Sequence, residues 1–322
     1  MEPNQAEPNA PDPLNPPAVE PFQPEPLTPI SGYAVPSFAP AVDDPLISPD
    51  YNGWWQRSTA IVKAGWPQLA ALQAIGVAVQ VLLQVPLLVY VATQSRQFAV
   101  DQQNSTTPDL TPLFGALGFT FLIAFAGIVV GAIITIATMQ MSVSIAAGGQ
   151  PRLGPALSAA ARRAFPLIGW QLLAGLIMLV GLCACVLPLF YFLAVFTVLP
   201  GVVAFERTNA ISRCFRLFHG NFGVAASRVA TIIGISIAAG VFATIIAQIV
   251  GAGGGGFSFS TTVTPESTSA IFVASAVSAI IGAIIDRGVA IVTGPLTLTA
   301  YADMRARVEP LTTQTLLHEL GQ

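Results

Sequence analysis

Two acid–base neighbours are the residues of this chain best suited to chemistry. Asp286–Arg287 lies inside the apolar run 271–301, and Glu206–Arg207 ends the run that closes with "LPGVVAFER". A charge at the centre of a membrane helix costs roughly 2.5–3.5 kcal/mol on insertion scales. Held there, Asp286 and Arg287 are either a structural pair or part of a polar pathway or ligand site. As one helix the run 271–301 would be about 46 Å long at about 1.5 Å per residue, so the pair can also lie nearer a face and snorkel. Gly288, Gly294 and Pro295 allow that helix to bend. For Glu206 the alternatives are an ion pair at a helix end and a polar latch pinning its span to the next helix.

The third chemical stretch is "FERTNAISRCFRLFHGNFG", residues 205–223, which gathers Arg207, Arg213, Arg216 and His219, with Arg228 soon after. Read as a helix from about Asn209 to Phe218, it places Ile211, Cys214, Phe215 and Phe218 on one face and Arg213 and Arg216 away from it. Asn209 fits the N-cap and Gly220 the left-handed residue that ends a helix. An interfacial helix is expected, with its apolar face in the acyl boundary and its arginines at anionic headgroups. Four bases beside a membrane anchor make no groove-sized patch, so no nucleic acid is expected.

Other chemistries find no support. "GAGGGG", 251–256, lacks the Lys-Ser/Thr of a P-loop, and "HEL", 318–320, is not HExxH. Two histidines and three cysteines supply no metal-ligand spacing, and no Ser–His–Asp set is recognisable. Cys183, Cys185 and Cys214 read as small buried hydrophobes. No cofactor, metal or catalytic residue is expected.

The elements that hold these residues are membrane spans. Charged residues are 9% of the 322 and apolar ones 53%, against roughly 25% charged in soluble domains. Neither a signal peptide nor a lipidation motif is evident. Apolar runs near 20 residues suffice to cross a hydrocarbon core about 30 Å thick. Six are expected, at about 69–91, 114–139, 167–187, 189–205, 229–250 and 271–301, with Pro188 dividing the third from the fourth. Eleven bases fall on one side of this map and Arg96 alone on the other. The positive-inside rule then puts both termini in the cytoplasm.

Residues 1–52 precede the spans as an acidic tail. Fourteen of the 26 prolines lie in the first 50 residues, so the tail is expected to be disordered and rich in polyproline II. It is either a tether or a docking site for a protein partner. Residues 53–308 form the membrane domain and 309–322 a short cytoplasmic tail. "TAIVKAGWP", "SAAARRAFP" and "SRCFRLFHG" precede spans one, three and five. They suggest three hairpins, each led by a cytoplasmic interfacial amphipathic helix in an all-α integral membrane fold. Lys63, Arg162, Arg163, Arg213, Arg216, Arg305 and Arg307 are the expected contacts to lipid headgroups.

Three stretches, "GWWQRSTAIVKAGWPQL", "LPGVVAFERTNAISRCFRLFHGNF" and "GPLTLTAYADMRARVE", resemble the bacterial membrane domain of the glycerophosphoryl diester phosphodiesterase family. The resemblance covers about residues 53 to 310, and its clearest mark is Tyr301, Asp303, Arg305 and Arg307. It implies a six-span body. The chain has no segment for the catalytic barrel, so phosphodiesterase activity is not expected. Two functions stay open: a scaffold or partner-binding protein of the cell envelope, and a transporter or lipid-handling protein with a polar site near Asp286 and Arg287.

Overall fold

The computed structural model describes residues 44–104, 111–184, 186–253 and 265–320. All of them belong to one unit of the chain, Phe38–Gln322; the other, Met1–Ser37, lies outside the described residues, and with it most of the expected tail. Among the described residues there are helices and no strands: α1 (Tyr51–Asn104), α2 (Thr111–Ala146), α3 (Leu153–Ala184), α4 (Val186–Phe196), α5 (Leu199–Phe205), α6 (Ala210–Gly220), α7 (Phe222–Gly253), α8 (Pro265–Ala306) and α9 (Thr313–Leu320). Helices are what an apolar chain of this length must form in lipid, where every backbone N–H and C=O needs a partner within the segment.

Among the described residues six stretches are long and apolar enough to cross a membrane, ending at Val91, Ala146, Cys183, Phe205, Val250 and Ala306. Their number and order match the expected spans. The fourth differs in form: it is two helices, α4 and α5, separated by a turn at Thr197–Val198. Pro200, in the first turn of α5, has no N–H to continue a helix from the residues before it. Pro188, expected to divide the third span from the fourth, lies in the first turn of α4, and residue 185 between α3 and α4 is outside the described residues.

The lead-in elements of the first two helix pairs are not separate helices. Residues 59–67 belong to α1 and 158–166 to α3, and Pro67 and Pro166 are carried inside those helices. Trp54, Ser58, Ile61, Gly65, Leu69 and Leu72 are all buried. Their spacing of three and four draws one stripe along α1, so the segment packs into the bundle instead of lying flat on a membrane. At Gly65 a Cβ would meet Ile145 Cδ1 at 2.1 Å, so glycine lets α1 approach α2. Only α6 stands apart from the span it precedes.

Helix α1 packs between α8 and α2; α7 packs on α8, and α2 on α3. The buried core gathers toward the end of the bundle that carries the bases, with Ile136, Leu167, Val202, Leu217, Val229 and Leu298 at its centre. Away from that end, large apolar side chains such as Leu82, Phe121, Leu187 and Ile249 face outward, as a lipid-facing surface requires. Helix α2 stops in a Schellman motif: Gly148 has φ of +77°, its N–H meets Ile145 O at 2.9 Å, and Gly149 N–H meets Ser144 O at 2.9 Å.

Both boundaries of the membrane domain move outward. Leu46, Ile47 and Ser48 are buried, so the packed body includes residues assigned to the tail 1–52. Within the expected tail 309–322, α9 buries Thr313 and Leu316 against the body. The Asp44 carboxylate joins the two segments. It accepts from Thr313 N–H at 2.8 Å and Thr313 Oγ1 at 2.6 Å, as well as from the N–H of Leu46 at 2.9 Å.

Candidate functional site

Arg287 lies on α8 against α1 and α2. Its side chain is 15% exposed, while that of Asp286 is 73% exposed; neighbours on a helix point about 100° apart, and the two meet only at 3.9 Å. Arg287 Nε donates to Gln80 Oε1 on α1 at 3.3 Å. Two glycines flank the guanidinium. A Cβ on Gly76 would lie 3.5 Å from Arg287 Cδ, and one on Gly131 4.0 Å from its Nη2.

Two cavities meet at this arginine. The outer, about 400 Å³, is lined by Gln80, Gln84, Thr120, Asp286 and Arg287 among leucines and isoleucines. The inner, about 150 Å³, is lined by Gln73, Thr135, Thr138, Thr197, Thr293, Thr297 and Arg287. Gln73 is 3% exposed, and its amide donates to Thr138 Oγ1 at 2.9 Å. Gln73 Oε1 and Gln84 Oε1 are buried without a hydrogen-bond partner. Hydroxyls of the inner cavity donate to carbonyls of their own helices, Thr138 to Ile134 O and Thr297 to Thr293 O, both at 2.7 Å. Their lone pairs remain as acceptors, and Arg287 supplies the donors.

A second polar centre holds the basic end together. Glu206 caps α5 and reaches Arg213 of α6 at 2.6 Å. It also accepts from Tyr301 Oη at 2.8 Å. Arg305 grips Glu319 of α9 with two bonds of 2.7 Å, donates to Tyr301 Oη at 3.1 Å, and bonds Glu309. Arg213 meets the same Glu309 at 2.8 Å. Burial opposes the charged form of Glu309, but the hydrogen bond and charge of Arg305, with the charge of Arg213, outweigh it and hold the carboxyl below its usual range. On another face of α8, Asp303 pairs with Arg228 of α7 at 2.7 Å and accepts from Ser48 N–H at 2.5 Å. Arg307 donates to Pro49 O at 3.1 Å. The Tyr301/Arg305 and Asp303/Arg307 pairs thus serve two faces of one helix, which the spacing of four within each pair provides.

Several expected roles change. Arg213 and Arg305, expected at lipid headgroups, are 4% and 8% exposed and committed to carboxylates. Lys63, Arg162 and Arg216 are exposed, and Arg163 and Arg307 are half-buried. Helix α6 does carry Cys214 and Phe218 on an apolar face, but protein covers it: Phe215 meets Phe196 ring to ring at 5.8 Å. Asn209 caps α6 through Ser212 N–H at 3.2 Å. Gly220 is not left-handed and belongs to α6; Asn221 follows, with its side chain accepting from Val224 N–H at the start of α7. His219 bridges Phe215 O at 2.8 Å and Tyr191 Oη at 3.1 Å.

Sequence reading passed over the polar lining of the cavities. Gln73, Gln80 and Gln84 recur at seven and eleven residues, one stripe of a helix, and Thr293 and Thr297 at four. Polar stripes inside apolar runs are the pattern that could have found them.

Among the described residues, six apolar stretches long enough to cross a membrane define a multi-pass membrane protein. No family model, no curated protein and no solved structure matches the chain. None of these comparisons bears on the resemblance read from residues 53 to 310.

Proposed function

We propose that this chain is a transporter or lipid-handling protein that takes an anionic amphiphile within the membrane. The observation that carries the reading is that Arg287, within the last apolar stretch, lines two cavities with donors to spare. Among the described residues only its Nε is engaged by a protein hydrogen bond. A cation there is costly unless it serves a partner, and Asp286, turned outward, is a loose one. The outer cavity falls within the roughly 300–1,000 Å³ typical of small-molecule sites. Its apolar wall suits a chain and its arginine an anionic group. The reading requires no reaction on the ligand. The excess of bases at one end supports placing that end in the cytoplasm of a bacterial plasma membrane.

The test is transfer of labelled phosphatidylglycerol between leaflets of liposomes containing the purified protein. Wild type should speed transfer over protein-free liposomes, and Arg287→Gln should abolish the gain. Wild type that matches protein-free liposomes would sink the reading. The partner-docking alternative depends on a tail of which residues 1–43 lie outside the described residues.

A further inference from the structure

The inner cavity beside Arg287 is rich in acceptors and short of donors. Its wall includes Gln73 of α1, Thr138 of α2, Thr197 of the α4–α5 turn, and Thr293 and Thr297 of α8. A threonine hydroxyl has one proton to give. These four give it to a carbonyl one turn back: Thr138 to Ile134 O, Thr197 to Leu193 O, Thr293 to Val289 O and Thr297 to Thr293 O, at 2.7–3.2 Å. The lone pairs that remain can only accept. Gln73 is 3% exposed, its amide donates to Thr138 Oγ1 at 2.9 Å, and its Oε1 is buried without a partner. A buried acceptor left unpaired is costly. This one belongs to a cavity of about 150 Å³, which has room for more than one water. The wall is also closely set: a Cβ on Gly294 would meet Thr138 Cγ2 at 2.5 Å, so α8 lies tight against α2 here.

A group that fits this cavity must bring donors of its own. An ammonium brings them with a positive charge, but Arg287 already stands on the wall. No carboxylate is among the described residues that line the cavity, so the two cations would repel in a medium of low dielectric. A trimethylammonium brings the charge and no donor. Hydroxyls bring protons without charge, and they can take over the bonds of the water they displace. The order of the environment is then apolar wall, guanidinium, acceptors, from the outer cavity through Arg287 to the inner one. A guanidinium fork matches phosphate oxygens. Acyl chain, phosphate and polyol follow one another in the same order in a phospholipid.

We infer that the inner cavity is a headgroup subsite that selects a phosphodiester lipid whose headgroup carries free hydroxyls, with Gln73 Oε1 and the threonine oxygens as acceptors. This rests on the reading of Arg287 as the seat of an anionic amphiphile, and it names the class of that amphiphile. It concerns recognition of the lipid, not its movement.

The experiment is native mass spectrometry of the full chain in detergent, titrated with phosphatidylglycerol or with phosphatidylmethanol of the same acyl chains. Both lipids carry one phosphodiester charge, and only the first has hydroxyls. Wild type is expected to retain phosphatidylglycerol about tenfold more tightly, the worth of one or two net hydrogen bonds. Thr297→Val and Gln73→Met each remove an acceptor at nearly constant shape, and each should cut the preference about threefold. Arg287→Gln should weaken both lipids together. Equal retention of the two lipids by wild type, retention of neither, or a preference untouched by both variants would overturn the inference. Should these variants not fold, Thr293→Val replaces them, and the wild-type comparison still decides. A tenfold preference in binding without transfer in liposomes would sink the transfer reading and uphold the subsite. Transfer with equal retention of the two lipids would do the reverse.

Discussion

Tyr301 donates its phenolic hydrogen to Glu206 across 2.8 Å, and Arg213 closes on the same carboxylate from the other side at 2.6 Å. The end of α5, the middle of α6 and the last turns of α8 thus share one buried carboxylate. Removing it leaves Arg213 without one of its two acids in a place that water does not reach. Glu206→Ala should cost about 3–5 kcal/mol, the range for breaking a buried ion pair. Tyr301→Phe, which removes one hydrogen bond to a charge, should cost about 1.5–3 kcal/mol. Thermal unfolding in detergent measures both, and a Glu206→Ala variant as stable as wild type would show that the carboxylate holds nothing.

Glu309 gives the basic end a dependence on acid. Its folded carboxyl lies below the ordinary value of 4.5, so its stabilisation is fully present above that value. It is lost as pH falls through the depressed folded value. Denaturant titrations from pH 6 downward should show wild type losing stability below about pH 4.5. Glu309→Gln should remove part of that slope. Identical slopes in the two proteins would refute the assignment.

Cys214 should be inert. Burial, reinforced by the charge of Glu206 and opposed by that of Arg213, pushes its thiol up to about 12. The thiolate is the form that reacts. Iodoacetamide at pH 8 should leave Cys214 unmodified in the native protein and modify it after unfolding, as read by peptide mass spectrometry. Rapid native labelling would mean that α6 lifts from the bundle.

Asp44→Ala should free α9. It removes the acceptor of Thr313 N–H and Oγ1, and loss of a cap costs about 0.5–2 kcal/mol. Limited proteolysis should cut near residue 312 earlier than in wild type, with the spans intact. Unchanged cleavage would show that Arg305 and Glu319 hold α9 unaided.

A single cysteine at Arg216 of a chain lacking its own cysteines tests which side of the membrane carries the basic end. Labelling by an impermeant maleimide only after the membrane is opened is the expected result. Labelling of intact cells would reverse the orientation.

The sequence made the spans legible because lipid imposes one rule on all of them: a run such as 229–250 must be apolar throughout, whatever it packs against. The cap at Asn209 was legible for a similar reason, since Asn209 acts on its own neighbours. The inward turn of Arg213 was not. Its second acid, Glu309, is 96 residues away, and no period in the chain announces such a pairing. A base beside an apolar face reads as a surface base until the acids that bury it are placed. Leu46 and Ile47 were hidden by their company, two apolar residues after a proline-rich stretch, and only Asp303 and Thr313 explain their burial.

The reach of residues 44–50 has a consequence for how the protein is made. Asp44 leaves the ribosome 269 residues before Thr313. Ser48 likewise waits 255 residues for Asp303. Residues 44–50 therefore wait without these partners while the spans between are inserted one after another. Closing the basic end is then a late event in biogenesis. A chain stalled before α8 would present an unengaged Arg228 and an open N-terminal segment to quality control, which could distinguish it from a finished molecule by that one end.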